Sequence, residues 1–138
     1  MRLTKTDFIR FLNCPKSLWV FKRDPENYPH GEVSVFLKKL TREGYEVENI
    51  VRQYFEASED RRVNFQRAFE TKGGLFARAD VIETADDGKT ILYEVKSSTN
   101  VKTDANHNHI KDVCFQKTCA ERSGQKIDQV FLVHLNGS

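Results

Sequence analysis

Long apolar runs are missing from this sequence. No stretch approaches the roughly 20 consecutive apolar residues that a membrane-spanning helix needs. The opening MRLTKTDFIRFLNC alternates charge and bulk where a signal peptide would build an apolar core. Membrane association is therefore not expected, and the expected location is cytoplasmic. Proline and glycine are scarce, 3 and 7 in 138 residues, which excludes collagen-like and low-complexity chains. Cysteine is scarce and odd in number: Cys14, Cys114 and Cys119. That argues for reduced thiols rather than a disulfide framework. Cys114 and Cys119, five apart on a predicted helix, point to different faces, and no pair has the CxxC spacing of a zinc knuckle.

With 38% hydrophobic and 30% charged residues, the composition is that of one globular domain with a single core. The net charge of +2 hides an uneven distribution. Residues 1–23 carry six Lys or Arg against one acid, and residues 24–94 carry ten against fifteen. A basic edge beside an acidic middle suits a protein that holds a polyanion and a metal cation. It is equally the scatter of an ordinary surface.

Periodicity gives an element order. Thr4 with Asp7 reads as a capping box opening a short helix through Phe8, Phe11 and Leu12. Pro15 opens a second through Leu18, Trp19 and Phe21. Residues 24–31 are a predicted loop. A longer helix is expected from about Val33 to Phe55, with Phe36, Leu40, Gly44, Val47, Val51 and Tyr54 as a buried stripe and Gly44 at a close contact. The period then changes to two. Val63–Phe69, Leu75–Ile82 and Ile91–Lys96 read as strands, the last two joined through the turn signal Asp87-Gly88. Asp104 or Asn106 caps a helix running to about Arg122, and Val130–Leu135 is a last strand. Residues 1–30 form an N-terminal helical segment and residues 33–135 the core.

If Thr84 pairs with Thr90 across the turn, Asp80 lies opposite Glu94, with Cβ atoms about 4.5–5.5 Å apart. Two carboxylates that close repel, and a divalent cation relieves them; hard oxygen ligands suit Mg2+ or Mn2+. Val95 offers its backbone carbonyl as a further ligand. Lys96, on the face of Glu94, could activate a water or stabilise a phosphate transition state. The same residues with Arg78 also read as a solvated cross-strand charge network. In the basic, aromatic N-terminus, Lys5 and Lys16 are candidate phosphate contacts beside Phe11 and Trp19, rings that stack on bases or fill a core. His107, expected to begin the helix after Lys96, is another candidate contact; His134, on the last strand, reads as structural.

The string RAD at 78–80, thirteen intervening residues, then EVK at 94–96 resembles the signature of the PD-(D/E)XK nuclease superfamily. YEVKSST (93–99) resembles its RecB-like branch, which includes CRISPR-associated iron–sulfur exonucleases. So do CPKSLW (14–19), GYEVE (44–48) and FQKTCAE (115–121), in the same order. The resemblance implies an α/β fold with a restriction-endonuclease-like α-β-β-β-α-β core, a central mixed sheet flanked by helices. It implies Asp80 and Glu94 as metal ligands, Lys96 as the catalytic lysine and Gln116 as its supporting glutamine. Ser97, within YEVKSST, joins the DNA-contact candidates. Many relatives carry histidine where this chain has Glu48; others use glutamate there, and Glu48 sits one turn beyond Gly44. The family's tyrosine after the glutamine is replaced by Ala120.

The cysteine matching Cys14 joins three C-terminal cysteines in cluster-bearing relatives. That trio is absent, so no iron–sulfur cluster is expected in this chain. Asn136-Gly137-Ser138 reads either as the end of a short homologue or as a point of truncation before a further domain or partner. The expected activity is DNA hydrolysis at single strands or duplex ends, leaving 5′-phosphates. The alternative is a non-catalytic DNA-binding or scaffold module on the same fold.

Overall fold

The computed structural model describes residues 1–31, 35–105 and 107–137. The expected helix start at Val33, the alternative cap Asn106 and Ser138 fall outside them.

A two-residue strand β1 (Leu3–Thr4) leads into α1 (Lys5–Asn13) and α2 (Pro15–Arg23). Thr4 caps α1 as expected: its hydroxyl accepts from the Asp7 N–H and the Asp7 carboxylate accepts from the Thr4 N–H. Asp7 is buried, and Lys22 of α2 reaches it at 2.7 Å, so the charge that caps one helix also ties down the next. Burial alone would raise the Asp7 carboxyl, but Lys22 and the Thr4 hydrogen bonds hold it below the usual range. Pro15 stands at the first turn of α2, where no N–H is needed.

Then follow α3 (Val35–Glu56), β2 (Arg62–Glu70), β3 (Leu75–Thr84), β4 (Thr90–Val95), α4 (His109–Arg122) and β5 (Gln129–Val133). The β3–β4 turn places Gly88 at φ 82°, a left-handed conformation open to glycine. Thr84 pairs with Thr90, the expected register. The mixed sheet has β2 antiparallel along one edge of β3 and β5 parallel to β4.

The other edge of β3 is shared. β1 pairs in parallel with Leu75 and Phe76, while β4 pairs in antiparallel with Val81 to Thr84. Residues 77–80 between them have no strand partner on that edge among the described residues. The sheet is forked there, and Asp80 lies at the fork.

α4 covers one face. Phe115, Cys119 and Ala120 pack with Phe69, Ala77, Ala79, Ile82 and Leu92, the alanines letting the helix close in. Phe8 of α1 stacks on Phe115 with ring centroids 5.3 Å apart. The C-terminal end of α3 lies over the other face, with Phe55 edge-on to Tyr93 at 4.9 Å.

Several expectations need correction. The α3 stripe is only partly buried: Phe36, Leu40 and Tyr54 are exposed, and a Cβ on Gly44 would meet nothing within 4 Å. Its periodicity is real, but little of the described chain covers its N-terminal half. α4 starts at His109 under an Asn108 cap that accepts from the Lys111 N–H, so Asp104 caps no helix and His107 precedes α4. Asp104 instead accepts from the His107 N–H. β5 begins at Gln129 and ends at Val133, leaving His134 beyond it and exposed. Phe11 and Trp19 stand on the surface. Asp80 and Glu94 are not a ladder pair, because the ladder stops at Val81↔Tyr93.

Candidate active site

Four elements meet at the fork. β3 supplies Asp80, the end of β4 supplies Glu94, Val95 and Lys96, α1 supplies Lys5, and α4 supplies Asp112 and Gln116. Each placement follows from local chemistry. The Thr4–Asp7 capping box sets Lys5 at the first position of α1, and the Asn108 cap sets Asp112 in the first turn of α4. Gln116 lies one helical turn later, on the same side as Asp112.

The side chains form a compact polar box. Lys5 Nζ donates to Glu94 Oε1 at 2.7 Å, and Lys96 Nζ stands 3.0 Å from the same oxygen. Lys96 also donates to Asp112 Oδ2 at 2.6 Å, while Lys5 stands 3.7 Å from Asp112 Oδ1. The Gln116 amide bridges both acids, donating to Glu94 Oε2 at 2.7 Å and Asp112 Oδ1 at 3.1 Å. Gln116 is fully buried, and its Oε1 has no hydrogen-bond partner among the described residues. Burial alone would raise the Glu94 carboxyl, but the two lysines and Gln116 hold it below its usual range. Burial would lower the Lys5 ammonium; Glu94 and Asp112 outweigh it and raise it.

Asp80 is treated differently. Its Oδ2 accepts the Val95 N–H at 2.8 Å, so the side chain takes up a backbone donor at the end of β4. Its Oδ1 accepts from Gln66 Nε2 at 3.2 Å. Burial first and Glu94 second push its carboxyl up to about 7. Gln66, directly across β2 from Asp80, leaves that ladder as well: pairing runs Phe65↔Val81 then Arg67↔Ala79, and Gln66 has φ 55°. Such a conformation in a strand costs a non-glycine residue about 1–3 kcal/mol and recurs at functional sites.

Two clefts open on Asp80. One, of about 300 Å³, is lined by Tyr45, Glu48, Arg52 and Phe65 with Asp80 and Val95. The other is lined by Lys5, Tyr45, Glu48, Arg78 and Asp80. Glu48 borders both, and its charge adds to the upward push on the Asp80 carboxyl. A third cleft, near Lys96 and Asp112, is lined by Ser97, Lys102, His107 and His109. Burial and the nearby Lys96 charge lower the His109 imidazole, whose Nδ1 accepts the Lys102 N–H at 3.0 Å.

Asp80, Glu94, Lys96 and Gln116, expected as a group, therefore meet, with Glu48 and Val95 bordering them. Lys5, expected as a phosphate contact, is bound into the box. Ser97 and His107 lie in the neighbouring cleft. Lys16 is exposed on α2 and borders none of these three clefts. Ala120 is fully buried in the core. Cys14 and Cys114 are exposed free thiols, and Cys119 is a buried one. Sequence reasoning missed Asp112 and Gln66. The four-residue spacing from Asp112 to Gln116 on a predicted helix could have found the first. No sequence signal marks a left-handed glutamine.

Among the described residues no three His, Cys, Asp or Glu side chains stand close enough together to be recognised as a metal group. The charge balance nonetheless suits a cation: Lys5 and Lys96 pair with Glu94 and Asp112, while Asp80 and Glu48 make no ion pair among the described residues. The donors are carboxylate oxygens, the type that hard divalent ions prefer.

No family model matches the chain, and no curated protein matches it. The solved structure of SSO0001 is similar over 97% of this chain, with a TM-score of 0.50 and 17% identity. The chain spans 62% of that protein's length. At this identity the likeness is one of fold: a mixed α/β arrangement with a central sheet flanked by helices.

Proposed function

We propose that the chain is a divalent-metal-dependent DNA nuclease domain on a restriction-endonuclease-like core. The observation that carries this reading is the fork. It gathers Asp80 and Glu94 at the parting ends of two strands and sets Lys96 3.0 Å from Glu94. The order of elements and the resemblance of RAD and EVK to the superfamily signature support it.

In this reading Asp80, Glu94, Glu48 and the Val95 carbonyl hold Mg2+ or Mn2+. The bound ion would supply Lewis acidity and lower the pKa of a coordinated water. The chain's own groups do the rest. Gln116 fixes the Glu94 carboxylate by occupying Oε2. The Val95 N–H fixes Asp80 by occupying Oδ2. Lys96 offers its ammonium to the charge that develops on the attacked phosphate. Lys5 adds a second positive charge beside Glu94. Attack of water at phosphorus with departure of the 3′ oxygen leaves a 5′-phosphate and a 3′-hydroxyl.

One observation favours a second reading. Lys5 and Lys96 already neutralise Glu94 without any metal, as a non-catalytic DNA-binding module would require. End-labelled single- and double-stranded DNA, incubated with the protein and Mg2+, Mn2+ or chelator, separates the two. The nuclease reading requires metal-dependent cleavage that Asp80→Ala and Lys96→Ala abolish. Binding without cleavage under every metal condition overturns it. Cleavage undiminished in Lys96→Ala reveals a contaminant or a different site.

A further inference from the structure

We propose that the cleft between α3 and the β2–β3 edge is a subsite for one unpaired nucleotide, with Tyr45 taking the base and Arg52 the phosphate. The inference rests on the nuclease reading and adds to it a preference for single-stranded substrate.

The cleft, of about 300 Å³, runs from Asp80 and Glu48 out to Tyr45, Asn49, Arg52 and Phe65. Tyr45, Glu48, Asn49 and Arg52 recur at three- and four-residue spacing and so share one face of α3. Arg52 makes no ion pair among the described residues, even with Glu48 one turn before it. Its guanidinium lies 4.5 Å from the centroid of the Phe65 ring, a cation–π contact that uses none of its N–H donors in an ion pair. Tyr45 is 67% exposed, a large ring left in solvent at the mouth of a polar cleft. The Cα positions of Tyr45 and Arg52 are about 10 Å apart along the helix axis, seven residues at ~1.5 Å each, a spacing on the scale of one nucleotide.

An exposed aromatic face, an uncommitted planar cation and a carboxylate centre in one groove match a base joined to a phosphate. An apolar peptide would leave Arg52 unanswered. A paired base buries its faces in the duplex stack, so stacking on Tyr45 requires an unpaired one. This places the phosphate next to the bound nucleotide at Asp80.

The test is fluorescence anisotropy of a labelled oligothymidylate with the full chain in chelator, where no cleavage interferes. Tyr45→Ala should weaken binding about tenfold and Tyr45→Phe should leave it intact. Arg52→Ala should weaken binding and reduce the slope of log affinity against log salt by about 0.7, the value for one single-strand phosphate contact. Blunt duplex binding should change less in each variant. Wild-type oligothymidylate affinity and salt slope in both Tyr45→Ala and Arg52→Ala would overturn the subsite, as would no detectable binding by the wild type. If the wild type binds through these residues yet never cleaves with Mg2+ or Mn2+, the subsite stands and the nuclease reading falls. If it cleaves and both variants keep the wild-type KM for single strands, the nuclease reading stands and the subsite falls.

Discussion

At its turn end the β3–β4 hairpin is a closed ladder, with Thr84 on Thr90 and Ile82 on Leu92. Four residues along from Thr84, at Asp80, the same two strands part. Asp80 gives its carboxylate to the Val95 N–H instead of pairing with Glu94. The closed end buries mainly apolar side chains, with Ile82 at 2% and Leu92 at 0% exposure, and its buried carboxylate, Glu83, accepts from the Tyr93 hydroxyl. The forked end buries carboxylates, Glu94 at 1% and Asp80 at 9%. One end gains stability from dry packing. The other spends some of it to hold charges in a fixed arrangement that water alone would not favour.

The sharpest way to break this contrast is to substitute at both ends. At the fork, on the proposed nuclease reading, Lys96→Ala and Asp80→Asn should each lower the cleavage rate by roughly 10²–10³-fold or more while leaving the circular dichroism spectrum unchanged. At the closed end, Leu92→Ala should cost about 2–5 kcal/mol in urea denaturation yet leave the rate per folded molecule near wild type. Equal loss of stability at both ends would abolish the distinction.

A smaller effect is expected at Gln66, opposite the fork. Gln66→Val forces a β-branched residue into φ 55°. It should be less stable than Gln66→Gly by about 1–3 kcal/mol, read from denaturation midpoints. Both variants lose the amide that holds Asp80 and, on the proposed nuclease reading, should cleave more slowly than wild type.

The smallest effect is the pH dependence of stability in chelator. The Asp80 carboxyl rises from 3.8 to about 7 on folding, so between those values the folded protein holds the extra proton. Stability contributed at this site therefore falls as pH rises through that window. Glu94 works in the opposite sense. Held below 4.5, its contribution is full above that value and is lost as pH falls through its lowered folded one. Asp80→Asn should remove the decline between about pH 5 and 7 and keep the acid-side loss, a difference of roughly a few degrees in melting temperature. Identical melting curves for the two proteins across that range would show that Asp80 does not titrate there.

The sequence made much of the closed end legible. Asp87-Gly88 marks the turn, and alternation on both sides sets the register, which brings Asp80 and Glu94 near each other. It did not make the fork legible. β1 is two residues long and meets β3 some 70 positions away, a contact that carries no periodicity. Lys5 therefore read as a phosphate contact, although its ammonium ends against Glu94. Asp112 carried no mark of its own in the sequence, because the predicted helix began several residues earlier and only the Asn108 cap puts Asp112 in its first turn. The α3 stripe erred the other way: its 3.6-residue period was plain, but a period says nothing about what covers it.

Gln66 has a consequence for the solution behaviour of the molecule. β2 is the outer strand, with no partner on its far side among the described residues. Nine residues of open backbone would ordinarily template the addition of a second chain and seed aggregation. Here the left-handed residue breaks the run midway, and Arg62 and Arg67 set positive charge on either side of the break. No uninterrupted stretch of that rim exceeds four residues. The kink that presents an amide to Asp80 also shortens and charges the exposed edge, which works against copies of the protein zipping together there.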